Sequence, residues 1–204
     1  MYKSVKRTPR LDPWGLYYDG IENINKKKFD KAISIFDKLI IKFNPNSIIF
    51  RQRGCPCAAC SPGNNLSKVQ KYWLIKALGN RGVCFGYKKN YVEAINDFES
   101  VLNIDNKNIK SLHNIAHIKL ISSEFYEAIE YLTKIISIDR EHSKSYLKRG
   151  MAYREIGEIE KADEDLESYQ YLNTQNMDIW RVSSSGFLSG FVNLYDSRKS
   201  ITPS

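Results

Sequence analysis

A strict internal self-similarity constrains this chain more than any single motif in it. Ala94, Ala128 and Ala162 are equally spaced, and each is followed four residues later by Phe98, Leu132 or Leu166. Three residues before each alanine stands Tyr91, Phe125 or Ile159, and twelve residues before it stands Gly82, Ala116 or Gly150. Ala32 has the same surroundings, with Phe29, Phe36 and Gly20 in the matching places. A fixed period of about 34 residues marks stacked supersecondary units, not one closed core.

Each unit reads as two antiparallel helices. The small residues Gly82, Ala116 and Gly150 let a first helix come close to its partner, and Ala94, Ala128 and Ala162 do the same from the second. Segments such as YVEAINDFESVLNID and FYEAIEYLTKIISID keep apolar residues on one helical stripe with acids and lysines opposite. Polar breaks at Ile104-Asp105-Asn106-Lys107-Asn108 and Ile138-Asp139-Arg140-Glu141-His142 end each pair. One hairpin buries too little apolar surface to stand alone, so stacking supplies the core.

The residues Leu78-Gly79-Asn80-Arg81-Gly82-Val83-Cys84-Phe85, followed by Tyr91-Val92-Glu93-Ala94-Ile95, resemble the tetratricopeptide repeat (TPR) family. So do Tyr146-Leu147-Lys148-Arg149-Gly150-Met151-Ala152-Tyr153 and the later Glu160-Lys161-Ala162. The resemblance implies an all-α, TPR-type α-solenoid of four helix hairpins, with repeats at about 13–46, 75–108, 109–142 and 143–176. A basic arm at 1–12 precedes them, and residues 177–204 are expected to hold a capping helix, at about 186–196, and a flexible tail.

The stretch from Ala32 to Ala94 is much longer than one period, and the excess places an insertion at 47–74. Its RQRGCPCAACSPGNN stretch reads as a loop, and Ser67 is placed to cap a helix that extends the first helix of the second repeat backwards. The insertion carries four basic residues and no acid. That feeds a wider asymmetry within a formal charge of +8: residues 1–74 have 14 basic and 5 acidic side chains, residues 75–204 have 17 and 18. Apolar residues at 42% and charged residues at 26% exclude wholesale disorder. No apolar run reaches the length that spans a bilayer, and no apolar segment follows the basic N-terminus as in a secretory signal. A cytoplasmic setting, with the cysteines as thiols or metal ligands, is the resulting expectation.

Three patterns carry candidate chemistry. Cys55, Cys57 and Cys60 are three thiols on a tight loop; they suit a soft metal if a fourth ligand joins, or form an irregular, redox-sensitive loop. Cys84 falls where a repeat needs a small buried residue and reads as packing. His113 and His117 are one turn apart on one helix and suit peptide contact, solvent exposure or a metal; no HExxH pattern accompanies them. Lys76, Lys110 and Lys144 recur once per period, and Asn80, Asn114 and Lys148 follow four residues later on the same face. That column is either a solvated basic face or a binding surface. The TPR resemblance implies that first helices line a concave groove in which such asparagines grip a ligand's backbone and such lysines meet its carboxylates.

Asn114, Lys144 and Lys148 resemble half of the carboxylate clamp of chaperone-binding TPR domains, and the other half is occupied by His113/His117, Gly79/Val83 or Tyr17/Ile21. No GxSxG, P-loop, GxGxxG or HExxH motif points to catalysis. The expected function is therefore a non-enzymatic interaction module or adaptor for an extended acidic or C-terminal peptide. It is expected to need no cofactor and no membrane, and a basic loop without a recognisable motif does not favour nucleic acid. The alternative is an RNA- or metal-associated accessory protein acting through the insertion 47–74.

Overall fold

Local capping chemistry decides where the helices begin. Asp12 caps the first helix by accepting a hydrogen bond from the Gly15 amide at 2.6 Å, with Pro13 in the first turn. Ser67 and Gln70 form a reciprocal capping box, the Ser67 amide donating to Gln70 Oε1 at 2.9 Å and the Gln70 amide to Ser67 Oγ at 3.2 Å. Asn108 accepts from the Ser111 amide at 3.1 Å.

A computed structural model of the chain describes residues 12–43 and 66–183, with side chains through residue 174. Those residues form eight helices in four hairpins: α1 (Pro13–Asn25) with α2 (Phe29–Phe43), α3 (Lys68–Tyr87) with α4 (Tyr91–Ile104), α5 (Ile109–Ile121) with α6 (Phe125–Ile138), and α7 (Ser143–Glu155) with α8 (Ile159–Ser183). Each hairpin stacks on the next through the pairs α2–α3, α4–α5 and α6–α7. The expected all-α solenoid is what forms, and no strand occurs among the described residues. Helix α3 is 20 residues long against 13 for α1, α5 and α7, because the Ser67 cap starts it upstream of residue 75. Helix α8 continues past residue 176 to Ser183. The basic arm before residue 12, the stretch holding Cys55, Cys57 and Cys60, and the expected capping helix at about 186–196 lie outside the described residues.

The turn inside each hairpin needs one left-handed residue. Lys27, Lys89, Ser123 and Gly157 fill it, with φ of 57°, 62°, 60° and 83°. Only the last hairpin uses the glycine that meets this conformation without a steric cost. The core follows the period: Ala32, Ala94, Ala128 and Ala162 are fully buried, and Phe36, Phe98 and Leu132 pack beside them. At Gly20 the Phe36 ring occupies the place of a side chain, since a Cβ there would sit 2.6 Å from it. Cys84 is fully buried, and burial pushes its thiol up to about 11, which makes it a packing residue.

Candidate functional site

The period that stacks the hairpins also sets equivalent turns of the first helices side by side. Helix α1 touches α3, and α3 touches α5, along one surface of the array. A cleft of about 480 Å³ opens there. Its walls are Tyr17 of α1, Lys76, Asn80 and Val83 of α3, the Asp105–Asn108 turn, and Lys110, Ser111 and Asn114 of α5. Gly79 also lines it and has no atom within 4 Å of where a Cβ would stand. Four of the sequence-derived candidates, Lys76, Asn80, Lys110 and Asn114, thus share one concavity.

Their local chemistry differs. Lys76 is half-buried, its ammonium 6.0 Å from the Tyr17 ring centre and 5.7 Å from that of Tyr72. Lys110 is exposed. Asn80 Nδ2 donates to the Lys76 carbonyl at 2.7 Å, so one of its donors is committed to its own helix. Asn114 has no such bond among the described residues and offers its whole amide to the cleft. The carboxylate in the wall, Asp105, accepts from the Lys107 amide at 3.2 Å and from Asn108 Nδ2 at 3.1 Å. It closes a turn and does not neutralise a lysine.

Lys144 and Lys148 stand one repeat further along, on α7, opposite His113 and His117 of α5. The His113 imidazole is drawn down to about 4, first by burial and then by the positive charge of Lys148, His142, His117 and Lys144. His117 is shifted down by burial and by Lys148. Lys148 is also shifted down, by burial and then by Lys144. The predicted residues therefore fall into two sets: a cleft between α1, α3 and α5, and a basic cluster between α5 and α7.

The tetratricopeptide repeat family model matches residues 109–142 and 143–176, in the register expected from the sequence. The array is built of tetratricopeptide repeats. The TPR chain is similar to a TPR repeat-containing protein of Methanocaldococcus jannaschii, 34% identical over 97 residues, which cover 48% of this chain and 17% of that protein. It is also similar to a BBSome complex member homologue of Drosophila melanogaster, 25% identical over 83 residues, covering 41% of this chain and 17% of that one. The match thus spans about a sixth of the length of the curated relatives. Among solved structures, MamA of Desulfovibrio magneticus RS-1 superposes with a TM-score of 0.59 at 19% identity, covering 81% of this chain and 78% of that one.

Three features of the TPR array were not anticipated from its sequence. Trp14, Tyr17, Tyr18, Phe43, Tyr72 and Trp73 form one aromatic cluster, with Trp14 and Trp73 4.9 Å apart and Phe43 stacked on Trp73 at 5.9 Å. Trp14, Tyr18 and Tyr72 leave much of their surface exposed beside Lys76. Second, an apolar cleft of about 360 Å³ lies between Gly82, Gly86 and Tyr87 of α3 and His117, Ile118 and Ile121 of α5, and Asn114 borders both clefts. Third, Arg81 grips Asp97 through Nε at 2.9 Å and Nη2 at 2.6 Å and reaches Asp37 of the preceding hairpin at 2.5 Å. Arg149 repeats this with Asp165, at 2.8 and 2.7 Å, and with Thr133 at 3.0 Å. A signal for the third was present: both Arg–Asp pairs have the same separation along the chain. Among the described residues no group of three or more His, Cys, Asp or Glu is arranged to hold a metal ion.

Proposed function

We propose that this TPR array is a non-enzymatic interaction module, an adaptor that holds an extended acidic or C-terminal peptide along the surface formed by its first helices. Lys76, Lys110, Lys144 and Lys148 meet the ligand's carboxylates, Asn114 and the free oxygen of Asn80 bond its main chain, and His113 and His117 lie beside it.

The observation that carries this reading is cations without acidic partners, Lys76 and Lys110 in the cleft between α1, α3 and α5 and Lys144 and Lys148 beside it on α7. Among the described residues none of the four lysines has a carboxylate within ion-pair distance. Cations collected in a cleft with low-dielectric walls favour an anionic ligand and raise its rate of encounter. A cytoplasmic setting and a ligand like a chaperone's C-terminal tail belong to the same proposal. Asn114, Lys144 and Lys148 provide three contacts for such a tail, whereas Gly79 and Val83 offer none where the clamp's other half would stand.

The test is Lys110→Glu combined with Lys144→Glu, two exposed positions on separate helices. Fluorescence polarisation with a labelled hexaglutamate peptide should show binding weakened about tenfold or more, equivalent to roughly 1.4 kcal/mol. The far-UV circular dichroism of the variant should match that of the parent. Equal affinity in parent and variant sinks the assignment.

A further inference from the structure

The surface between α5 and α7 is built from bases. His113 and His117 are one turn apart on α5, and Lys144 and Lys148 are one turn apart on α7. His142, immediately before α7, sets its ring edge-on to that of His113 with centres 6.0 Å apart. A hydrogen bond of 2.8 Å between His142 Nδ1 and Ser145 Oγ anchors that ring to the first turn of α7. None of these five bases has an ion-pair partner among the described residues.

No carboxylate is among the groups that act on His113. Helix α6 carries Glu127 near Lys119, at the far end of α5, and Glu124 just before it pairs with the same lysine. Helix α4 turns Asp97 towards Arg81 of α3. The groups that act on His113 are therefore His117 from its own helix, and His142, Lys144 and Lys148 from the α7 side. In the unliganded molecule this imidazole stays neutral down to about pH 4, first because it is buried and then because a further positive charge has no counter-ion there. A carboxylate placed among these groups reverses that balance, since an opposite charge within a few ångströms favours the protonated ring.

We infer that this cluster is a proton-coupled carboxylate subsite: side-chain carboxylates of an acidic peptide occupy the space between α5 and α7, and His113 takes up a proton from solvent as they bind. The inference rests on the groove reading above and adds to it a dependence on pH. Glutamate side chains, with an ordinary value near 4.3, stay ionised through most of the relevant window. If the bound imidazole titrates near its ordinary value of about 6.5, affinity rises about tenfold between pH 7.5 and 5.5.

Calorimetry of hexaglutamate with the full chain, in two buffers of different ionisation enthalpy, tests this. The expected result is about tenfold tighter binding at pH 5.5 than at pH 7.5, with most of one proton taken up per peptide at the lower pH. In His113→Gln the ratio of the two dissociation constants should fall below about twofold. A ring-proton NMR titration of the parent covers the case in which that variant folds poorly. His113 should titrate below pH 5 without peptide and above pH 6 with it. Measurable binding without proton uptake, or a His113 ring that titrates alike in both states, overturns the inference and leaves the groove reading standing. Absence of binding at both pH values overturns both.

Discussion

The second and third repeats solve one packing problem in opposite ways. At 75–108, Arg81 of the first helix and Asp97 of the second form a bidentate pair across the hairpin, and Arg81 extends to Asp37 in the hairpin before. The guanidinium is held above its ordinary value, first by the Asp97 hydrogen bond. One period later the same two positions are Ile115 and Tyr131, part of an apolar cluster with Phe98 and Ile118. One period further on, Arg149 and Asp165 restore the polar form. The fold requires a side chain that bridges the two helices and touches the preceding hairpin. It does not require that bridge to be charged.

Removing one partner of a buried pair is expected to have the largest effect on stability. Asp165→Ala leaves Arg149 with Thr133 as its neutral contact and should lower urea-unfolding stability by about 3–5 kcal/mol. Asp97→Ala should lower it less, because Asp37 still faces Arg81. Equal losses would show that Asp37 contributes nothing. Replacing both partners by the third repeat's pair, Arg81→Ile with Asp97→Tyr, should remove less stability than Asp97→Ala alone, since an apolar pair leaves no buried charge and the Asp37 carboxylate it frees is exposed to solvent. A greater loss in the double variant would break the equivalence of the two bridges.

The small residue of the first helix and the large one of the second form a comparable pair. Gly82 faces Phe98, whereas Ala116 takes the same position opposite Leu132. A Cβ at Gly82 would stand 2.8 Å from the Phe98 ring and 3.2 Å from the Ala94 carbonyl oxygen. Gly82→Ala should therefore cost about 1–3 kcal/mol from overpacking. Adding Phe98→Leu, which reproduces the third repeat's combination, should return part of that loss in a double-mutant cycle. Strict additivity would show that the two positions do not share volume.

A pH-dependent effect separates the basic cluster from the ion-paired repeats. His113 is held down at about 4 in the folded chain against about 6.5 in an unfolded one, so between those values the unfolded state binds more protons. Stability of the unliganded protein should consequently fall as pH drops from about 6.5 towards 4, by at most about 1.4 kcal/mol per pH unit for this one group. Urea midpoints measured across that range should give a shallower slope for His113→Gln than for the parent. Parallel slopes would mean that other groups set the acid limit.

The helical architecture was legible because the interactions that make it are local or strictly periodic. A buried Ala94, Ala128 or Ala162 once per period, a polar break after each pair, and Ser67 three residues before Gln70 are all sequence patterns with one structural solution. The cleft was legible in part, since the period alone brings Lys76, Asn80, Lys110 and Asn114 to one face. It could not reveal that Asn80 spends a donor on the Lys76 carbonyl while Asn114 does not, because that choice is a rotamer. The aromatic cluster escaped for a different reason. Trp14, Phe43 and Trp73 come from three helices, and the rule that joins them is outside the repeat.

By itself, then, the sequence determined the helical hairpins, their register and the face that Lys76, Asn80, Lys110 and Asn114 share. These depend on hydrogen bonds within a few residues and on a period read along the chain. The tertiary structure alone decided which of those polar groups are free. Charge compensation is a property of distances between helices: it commits Arg81 and Arg149 to carboxylates, sets Glu124 and Glu127 about Lys119, and leaves His113, Lys144 and Lys148 among other bases.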